Sequence, residues 1–425
     1  MANVAEESKE KHYDVDDFLR LPVIFYNVMG ISPYETDRKP TVWFQIYFVL
    51  NVVNVVLAFT AEIAFLVNTF RDNENFLESC IVLSYVSFVV TGLLKICAVM
   101  NRKPKLTSLV RQLRTCFPSP SAKDQEEYAV KSYLDRSHMY TKGFGGLYTI
   151  TYFAHILIPL LVYIIQSVVL QLPEVKEVLP FYQLEPWNWH GSWRFYLSFF
   201  HQTLAGYTAT CGSIAGDLMI FAVALQVIMH YDRLSKALRE FKLQVLNEPN
   251  GVNEDLRKLQ SLIANHIDIL RLLGENACLI HKLNYLTFRL TDVMNEVFGV
   301  PLLLNFLASS LLVCLVGFQL TIAFNPEYFC KQVLLLTSAL VEIYLLCYFS
   351  QMLMDASENV GFAVYDMDWT GADNRFKKML IYISMRAQKP VCLKATIVLD
   401  LSIATMTIFL GMSYKFFCAI RTMYQ

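Results

Sequence analysis

The chain is poor in charge, and its few charged residues show no excess of either sign. Only 17% of its 425 residues are charged, against roughly 25% in soluble domains. The formal net charge is -1, which excludes the basic surplus of a nucleic-acid binder and the acidic surplus of a solvating tail. The polar N-terminus, Met1 to Arg20, lacks the apolar core of a cleavable signal peptide. We therefore expect no nucleic-acid partner. We also expect insertion into the membrane to depend on the first membrane-spanning segment.

Motifs of enzymes and metal proteins are also missing. There is no nucleophile elbow, phosphate-binding loop, zinc signature or pair of catalytic carboxylates, so we predict neither an enzyme nor a bound cofactor. The ten cysteines show no C-x-x-C spacing, and we expect ordinary buried thiols; Cys80, Cys330 and Cys418 are the only candidates for a disulfide. His155 and His201 have no carboxylate or thiolate at ligand spacing, so no metal site is predicted.

Apolar residues are abundant, at 55% of the chain. A membrane-spanning helix needs about 20 mostly apolar residues, and seven stretches qualify. The predicted spans are Trp43–Phe70, Phe76–Met100, Phe144–Leu170, Phe195–Met229, Val293–Phe324, Gln332–Met354 and Leu393–Ile420. The pattern predicts an all-α membrane protein with seven transmembrane helices.

The distribution of Lys and Arg predicts the orientation. The N-terminus and the loops after spans two, four and six hold 28 of the 36 Lys and Arg residues, and such loops stay in the cytosol. We therefore predict a cytosolic N-terminus and an extracellular C-terminus, opposite to G-protein-coupled receptors. Tyr231-Asp232-Arg233 resembles a motif of those receptors, but it follows the fourth span instead of the third, so we interpret it as a chance match.

The predicted cytosolic loops carry helical patterns. Leu234, Leu238, Phe241 and Val245 repeat at helical spacing, and a second helix is predicted to begin at the N-cap Asn253 and to continue towards span five. Its narrow apolar stripe favours helices that bundle below the membrane as an anchor; the alternative is a helix lying on the membrane surface.

The C-terminal quarter carries a distinctive pattern: Val364-Tyr365, Trp369, Arg375, Lys377-Lys378, Met385-Arg386-Ala387-Gln388-Lys389-Pro390 and Ser413-Tyr414. It resembles the signature of the insect odorant receptor family, and the Gln-Lys-Pro segment and Trp369 are its most specific part. Asp217 and the helices around His266 are also similar to that family, so the resemblance covers most of the chain.

The resemblance implies a subunit of a ligand-gated, non-selective cation channel. In that family odorant-tuning subunits assemble with a shared co-receptor as a heterotetramer, in the plasma membrane of sensory-neuron dendrites and without a G protein. The loop from His230 to Leu290 lacks the long insertion of the co-receptor, so we predict a tuning subunit. Its expected partners are the co-receptor, a small volatile odorant and membrane lipid. The alternatives are a gustatory-type receptor channel and a secondary transporter, which should show an internal repeat.

The family places the odorant cavity in the outer half of the bundle, among spans two, three, four and six. The matching positions are Tyr85, Phe88, Ile156, Leu160, Tyr163, His201, Leu204, Tyr207, Thr208, Leu335 and Ser338. Each taken alone also fits plain packing, and His201 also fits a hydrogen bond to a neighbouring helix. The outer loop 173–193 either covers this cavity or rests at the membrane interface.

The last span lines the pore in this family. Ser413, Phe417, Ile420 and Arg421 share one helical face, and we expect Phe417 and Ile420 to form a gate that closes by dewetting. The positive charge of Arg421 would repel permeant cations. This side chain therefore either points away from the pore or is tolerated because other subunits supply most of the ring around it. Asp400 either attracts cations or pairs with Lys394 or another helix.

Trp369, Lys377, Lys378, Gln388 and Pro390 match the family positions that pack where subunits meet; the alternative is a simple linker. The predicted organisation is a cytosolic segment (1–42), six spans with the cavity and helical loops (43–354), an assembly segment (355–392), and the pore span with its tail (393–425).

Overall fold

In the part of the chain that the structure describes, seven helices are long and apolar enough to cross a membrane. The computed structural model describes residues 12–36, 40–72, 76–171, 177–242, 254–255, 257–259, 261, 279–322, 326–372, 374–395 and 399–424. Within them the seven helices are α2 (Val42–Asp72), α3 (Phe76–Asn101), α6 (Val130–Ile164), α7 (Arg194–Arg239), α8 (Leu279–Ile322), α9 (Pro326–Asp366) and α11 (Ile403–Tyr424). The predicted all-α fold with seven spans is confirmed.

Shorter elements lie between and beside these helices. They are α1 (Val15–Val28), α4 (Lys103–Cys116), α5 (Ala122–Glu127), α10 (Asn374–Ala387), a π-helical turn at Ile165–Val169, and the strands β1 (Lys394–Ala395) and β2 (Leu399–Asp400). We call the end of the bundle that carries α4, α5 and α10 the anchor end, and the end that carries residues 177–193 the loop end.

Helix α7 is the central element, and the most apolar stretch of this helix is wholly buried. Glycines let α3 approach it closely. A Cβ atom on Gly92 would lie 2.7 Å from the carbonyl oxygen of Ala209, and one on Gly212 would lie 2.5 Å from Ile96. The contact at Gly92 is with the backbone, so this position requires glycine, whereas at Gly212 the end of the Ile96 side chain would have to move.

The predicted seventh span begins too early. Lys394–Ala395 and Leu399–Asp400 pair as two short antiparallel strands, with Lys394 opposite Asp400, and α11 starts only at Ile403. Side chains satisfy the extended backbone here: Ser350 Oγ accepts from Leu393 N–H at 3.0 Å and donates to the Leu401 carbonyl at 2.7 Å. Because the polar groups of the backbone have these partners, a helix is not needed to satisfy them.

The helices extend beyond the predicted spans and bundle at the anchor end. Helix α7 continues ten residues past the predicted boundary at Met229 to Arg239, with Leu234 and Leu238 buried. The Phe241 ring lies 5.6 Å from that of Phe376 in α10. Val245 and most of the helix predicted from Asn253 lie outside the described residues.

Candidate ligand-binding site

A cavity with a volume of about 60 Å³ opens among the helices towards the loop end. Its wall comes from α2, α3, α6, α7 and α9 and from the loop before α7. The lining residues are Val55, Ala58, Phe59, Glu62, Tyr85, Phe88, Val89, Tyr148, Thr151, Tyr152, His155, Phe181, Gln183, Gln202, Ala205, Gly206, Ala209, Thr210 and Leu335.

Small side chains on α7 make room for the cavity. Ala205, Gly206 and Ala209 lie on one face of this helix and line the wall. The Phe181 ring from the preceding loop lies against Gly206, where an added Cβ would be only 2.9 Å from it. The glycine therefore lets the loop enter the bundle.

Aromatic rings form much of the rest of the wall. Tyr85 meets Phe181 edge-on at 5.5 Å between ring centroids and meets His155 at 5.8 Å. Phe88 stacks on Tyr148 at 6.2 Å. Such rings supply large apolar contact areas with few rotatable bonds, so the wall is suited to apolar and aromatic ligands.

Hydrogen bonds hold the loop over the cavity. The N–H of Phe181 donates to Gln202 Oε1 at 3.1 Å, and Gln202 Nε2 donates to Glu185 Oε1 at 3.0 Å. The N–H of Leu184 donates to the carbonyl of Ala61 at 3.1 Å. The loop thus contributes Phe181 and Gln183 to the wall, which favours the covering role for residues 177–193.

A buried ionic network lies beneath the cavity. Lys95 Nζ is 2.7 Å from Asp217 Oδ2 and 2.9 Å from Glu342 Oε1. Asn305 Nδ2 donates to the same Glu342 atom at 2.7 Å, and the hydroxyl of Tyr148 donates to its other oxygen. Since Tyr148 also lines the cavity, one side chain connects the cavity wall to charges shared by α3, α7 and α9.

Three of the predicted ligand contacts, Tyr85, Phe88 and Leu335, line the cavity. Ser338 lies behind the wall, with its hydroxyl 2.7 Å from that of Thr151.

The predicted contacts on α6 lie outside the wall. Ile156 is buried, Leu160 is half-buried, and the Tyr163 ring packs 6.3 Å from that of Phe195.

Those on α7 also face elsewhere. His201 Nδ1 lies 2.6 Å from Asn54 Oδ1, so this histidine bonds a neighbouring helix. Tyr207 packs on Tyr152 at 5.6 Å, and Thr208 donates to the carbonyl of Leu204 at 3.0 Å.

The difference is a rotation of one residue on each helix. On α7 the wall uses Gln202, Ala205, Gly206 and Ala209, whereas the prediction used the neighbouring face that contains His201. One residue turns a helix by about 100°. These spans are apolar on most sides, so the periodicity of the sequence does not show which side of each helix faces the cavity. On α7 small residues mark that side, and a prediction based on aromatic rings does not include them.

Three of the four predicted gate residues pack against other helices of this chain. Ser413 Oγ lies 3.1 Å from Ser310 Oγ on α8, and Phe417 and Ile420 pack against a cluster that contains Cys80. Arg421 is exposed. The face of α11 beside them is more open, with Ile403, Leu410 and Tyr414 exposed at 50%, 45% and 66%.

The predicted assembly residues lie at the anchor end. Trp369 closes the turn after α9, where its carbonyl accepts from Ala372 N–H at 3.0 Å, and Lys377 Nζ donates to the Thr370 carbonyl at 2.9 Å. Lys378, Gln388 and Pro390 are exposed. Apolar side chains beside them are exposed as well: Phe362, Tyr365, Ile381 and Met385.

Comparisons with known proteins agree on one family. Residues 75–414 match the family model described as 7tm Odorant receptor. The chain is 71% identical to Odorant receptor 67a of Drosophila melanogaster over the whole of both chains, and 34% identical to Odorant receptor 85c of the same species over 96% of this chain and 99% of that protein. The insect olfactory receptor OR5 from Machilis hrabei in complex with eugenol superposes with a TM-score of 0.76 at 14% identity, covering 96% of this chain and 98% of that one. The chain therefore belongs to the insect odorant receptor family.

Proposed function

We propose that this protein is the odorant-tuning subunit of a ligand-gated, non-selective cation channel that works with a co-receptor in the plasma membrane of olfactory neurons. The observation that carries the proposal is the largely apolar cavity between α2, α3, α6, α7 and α9, with Phe181 folded over it. A small volatile molecule would bury most of its surface there. Family membership favours this function over the gustatory and transporter alternatives.

The route from the cavity to the pore runs through the ionic network. A ligand that contacts Tyr148 would bias the position of Glu342, which also holds Asn305 on α8. Helix α8 in turn packs on α11, where the Phe306 and Phe409 rings lie 5.0 Å apart. Ligand binding can shift a channel only if it favours one arrangement of these contacts over the other. We propose that an odorant stabilises the arrangement in which α11 opens.

The open face of α11 and the exposed anchor end are the surfaces that remain for other subunits. The face with Ile403, Leu410 and Tyr414 is exposed in the isolated chain, so it is our choice for the pore, in place of the face with Ser413 and Phe417. At the anchor end, Tyr365, Ile381 and Met385 are exposed apolar side chains close to the predicted assembly residues. Exposed apolar patches of this kind mark sites of association.

Whole-cell recording tests the proposal. Cells that express this chain alone, the co-receptor alone or both would be exposed to a broad panel of volatile odorants. We expect a cation current that requires both chains and whose odorant profile the co-receptor alone lacks. Silence across the panel, despite surface expression of both chains, would contradict it.

A further inference from the structure

One histidine in the cavity wall has a nitrogen with no partner. His155 is 4% exposed and lines the cavity, and its Nε2 atom is buried without a hydrogen bond. Unpartnered polar atoms in a buried site cost free energy, because they have lost their hydrogen bonds to water. Within the described part of the chain, two further oxygens of the wall are in the same condition, Glu62 Oε2 and Gln183 Oε1.

The partner of the other ring nitrogen assigns the role of Nε2. His155 Nδ1 lies 2.8 Å from the carbonyl oxygen of Thr151. A carbonyl oxygen can only accept a hydrogen bond, so Nδ1 carries the proton, and in a neutral ring Nε2 then carries the lone pair. In the described residues no carboxylate forms an ion pair with His155 that would hold its ring in the charged form. The ring therefore offers the cavity an acceptor.

Several donors of the wall, in contrast, already have partners. The hydroxyl of Tyr152 donates to the Thr203 carbonyl at 2.8 Å, and that of Thr210 donates to the Gly206 carbonyl at 2.8 Å. Gln202 Nε2 donates to Glu185 at 3.0 Å.

The amide of Gln183 also uses its donor and leaves its acceptor free. The Nε2 atom of Gln183 donates to Glu62 Oε1 at 3.5 Å, and the Oε1 atom of Gln183 remains an acceptor without a partner. The hydroxyl of Tyr148, another residue of the wall, donates its hydrogen bond to Glu342. The cavity thus combines an apolar wall with two unused acceptors, His155 Nε2 and Gln183 Oε1.

We infer that this receptor is tuned to odorants that carry a hydrogen-bond donor, such as small aliphatic alcohols and phenols, and that His155 Nε2 accepts a hydrogen bond from the hydroxyl. This inference rests on the proposed function, since it names the ligand class of the same cavity. An apolar ligand of equal shape leaves the acceptors unpaired. A ligand that has only acceptors places its own lone pairs against that of the histidine, so no hydrogen bond forms. Both are therefore bound less well.

The test uses pairs of odorants in which a methyl group replaces a hydroxyl: 1-hexanol with heptane, and 4-ethylphenol with 4-ethyltoluene. Concentration–response curves are recorded from cells that express this chain and the co-receptor. We expect the hydroxyl compound to be the more potent member of each pair by roughly three- to tenfold, the value of one net hydrogen bond. Equal or reversed potency in the unsubstituted receptor overturns the inference.

A variant separates this inference from the function on which it rests. His155→Phe keeps a ring in the wall and removes the acceptor, so the preference for the hydroxyl compound should fall towards onefold while the methyl compound still elicits current. His201→Phe, a histidine outside the wall, should leave the preference unchanged. If His155→Phe retains the full preference, the hydrogen bond is wrong but the receptor function stands. If no volatile compound elicits current from the unsubstituted pair of chains, the proposed function itself fails.

Discussion

The ammonium of Lys95 lies 2.7 Å from Asp217 in the interior of the bundle, where the two side chains are 4% and 1% exposed. The same ammonium is 2.9 Å from Glu342. One cation on α3 therefore joins α7 and α9, and Asn305 of α8 and Tyr148 of α6 donate to Glu342 as well. Five of the seven long helices meet at these side chains, directly beneath the cavity.

Removal of the cation should destabilise the protein strongly. Lys95→Met leaves Asp217 and Glu342 buried side by side without a positive partner, which costs about 3–5 kcal/mol when a buried ion pair is broken. We expect a lower melting temperature of the purified chain in detergent and less protein at the cell surface.

Lys394→Met is the matched control, because Lys394 and Asp400 form an exposed pair 3.6 Å apart. Pairs of this kind contribute little. Equal melting temperatures for the Lys95 and Lys394 variants would show that the network does not hold the helices.

The glycine beneath the loop sets the shape of the cavity. In Gly206→Ala the new methyl group would lie 2.9 Å from the Phe181 ring, so the ring must move and the loop with it. Overpacking of this kind costs roughly 1–3 kcal/mol. Part of that cost lowers the stability of the protein and part lowers odorant binding, so we expect odorant potency to fall several-fold.

Gly146→Ala on α6 is the comparison, since nothing lies within 4 Å of its added Cβ. The combination of Gly206→Ala with Phe181→Ala should recover part of the response. A Gly206→Ala receptor with an unchanged concentration–response curve would argue against a loop that covers the ligand.

Accessibility to a thiol reagent distinguishes the two faces of α11. A cysteine in place of Tyr414 should react with a charged, membrane-impermeant methanethiosulfonate applied during odorant exposure, and the current should be blocked. A cysteine in place of Phe417 should react slowly, because that side chain packs near Gly317, at 3.7 Å from an added Cβ there. The unsubstituted channel, with its own cysteines, sets the background. Faster block at position 417 than at 414 would restore the original gate prediction.

The exposed face of α10 should carry subunit contacts. Met385 is 59% exposed in the isolated chain, so Met385→Asp should not disturb the fold, but it would place a charge in an apolar interface. We expect less co-receptor to be co-purified with this variant. Met139→Asp, at a side chain 60% exposed on α6, is the control. Normal co-purification with the Met385 variant would move the interface elsewhere.

The membrane fold could be predicted from the sequence because its determinants are local. A run of apolar residues such as Phe76–Met100 has only one way to satisfy its backbone in lipid, which is a helix. The start of the last span was harder to predict, because side chains far away in sequence, Ser350 and Asn295, bind the backbone of residues 393, 394 and 401. Those contacts exist only in the folded chain.

The wall of the cavity could be predicted only in part, for a related reason. Tyr85 and Phe88 were found because large rings near the middle of a span are conspicuous. His155 and Ala205 were missed because the rotation of α6 and α7 depends on packing, not on their apolar pattern. The contributions of Glu62 from α2 and Phe181 from the loop depend on contacts between distant segments, and no periodicity within either segment reports them.

The central claim is that the cavity between α2, α3, α6, α7 and α9 is the odorant site, and paired tyrosine variants test it most directly. Tyr85 lines the cavity and packs on Phe181, whereas Tyr163 lies outside it against Phe195. Odorant concentration–response curves would be recorded for Tyr85→Ala and Tyr163→Ala, each with the co-receptor and with surface expression matched. We predict a shift of tenfold or more in potency for Tyr85→Ala, on the order of 1.4 kcal/mol, and little change for Tyr163→Ala. A larger shift for Tyr163→Ala, with Tyr85→Ala unchanged, would contradict the account and place the odorant elsewhere.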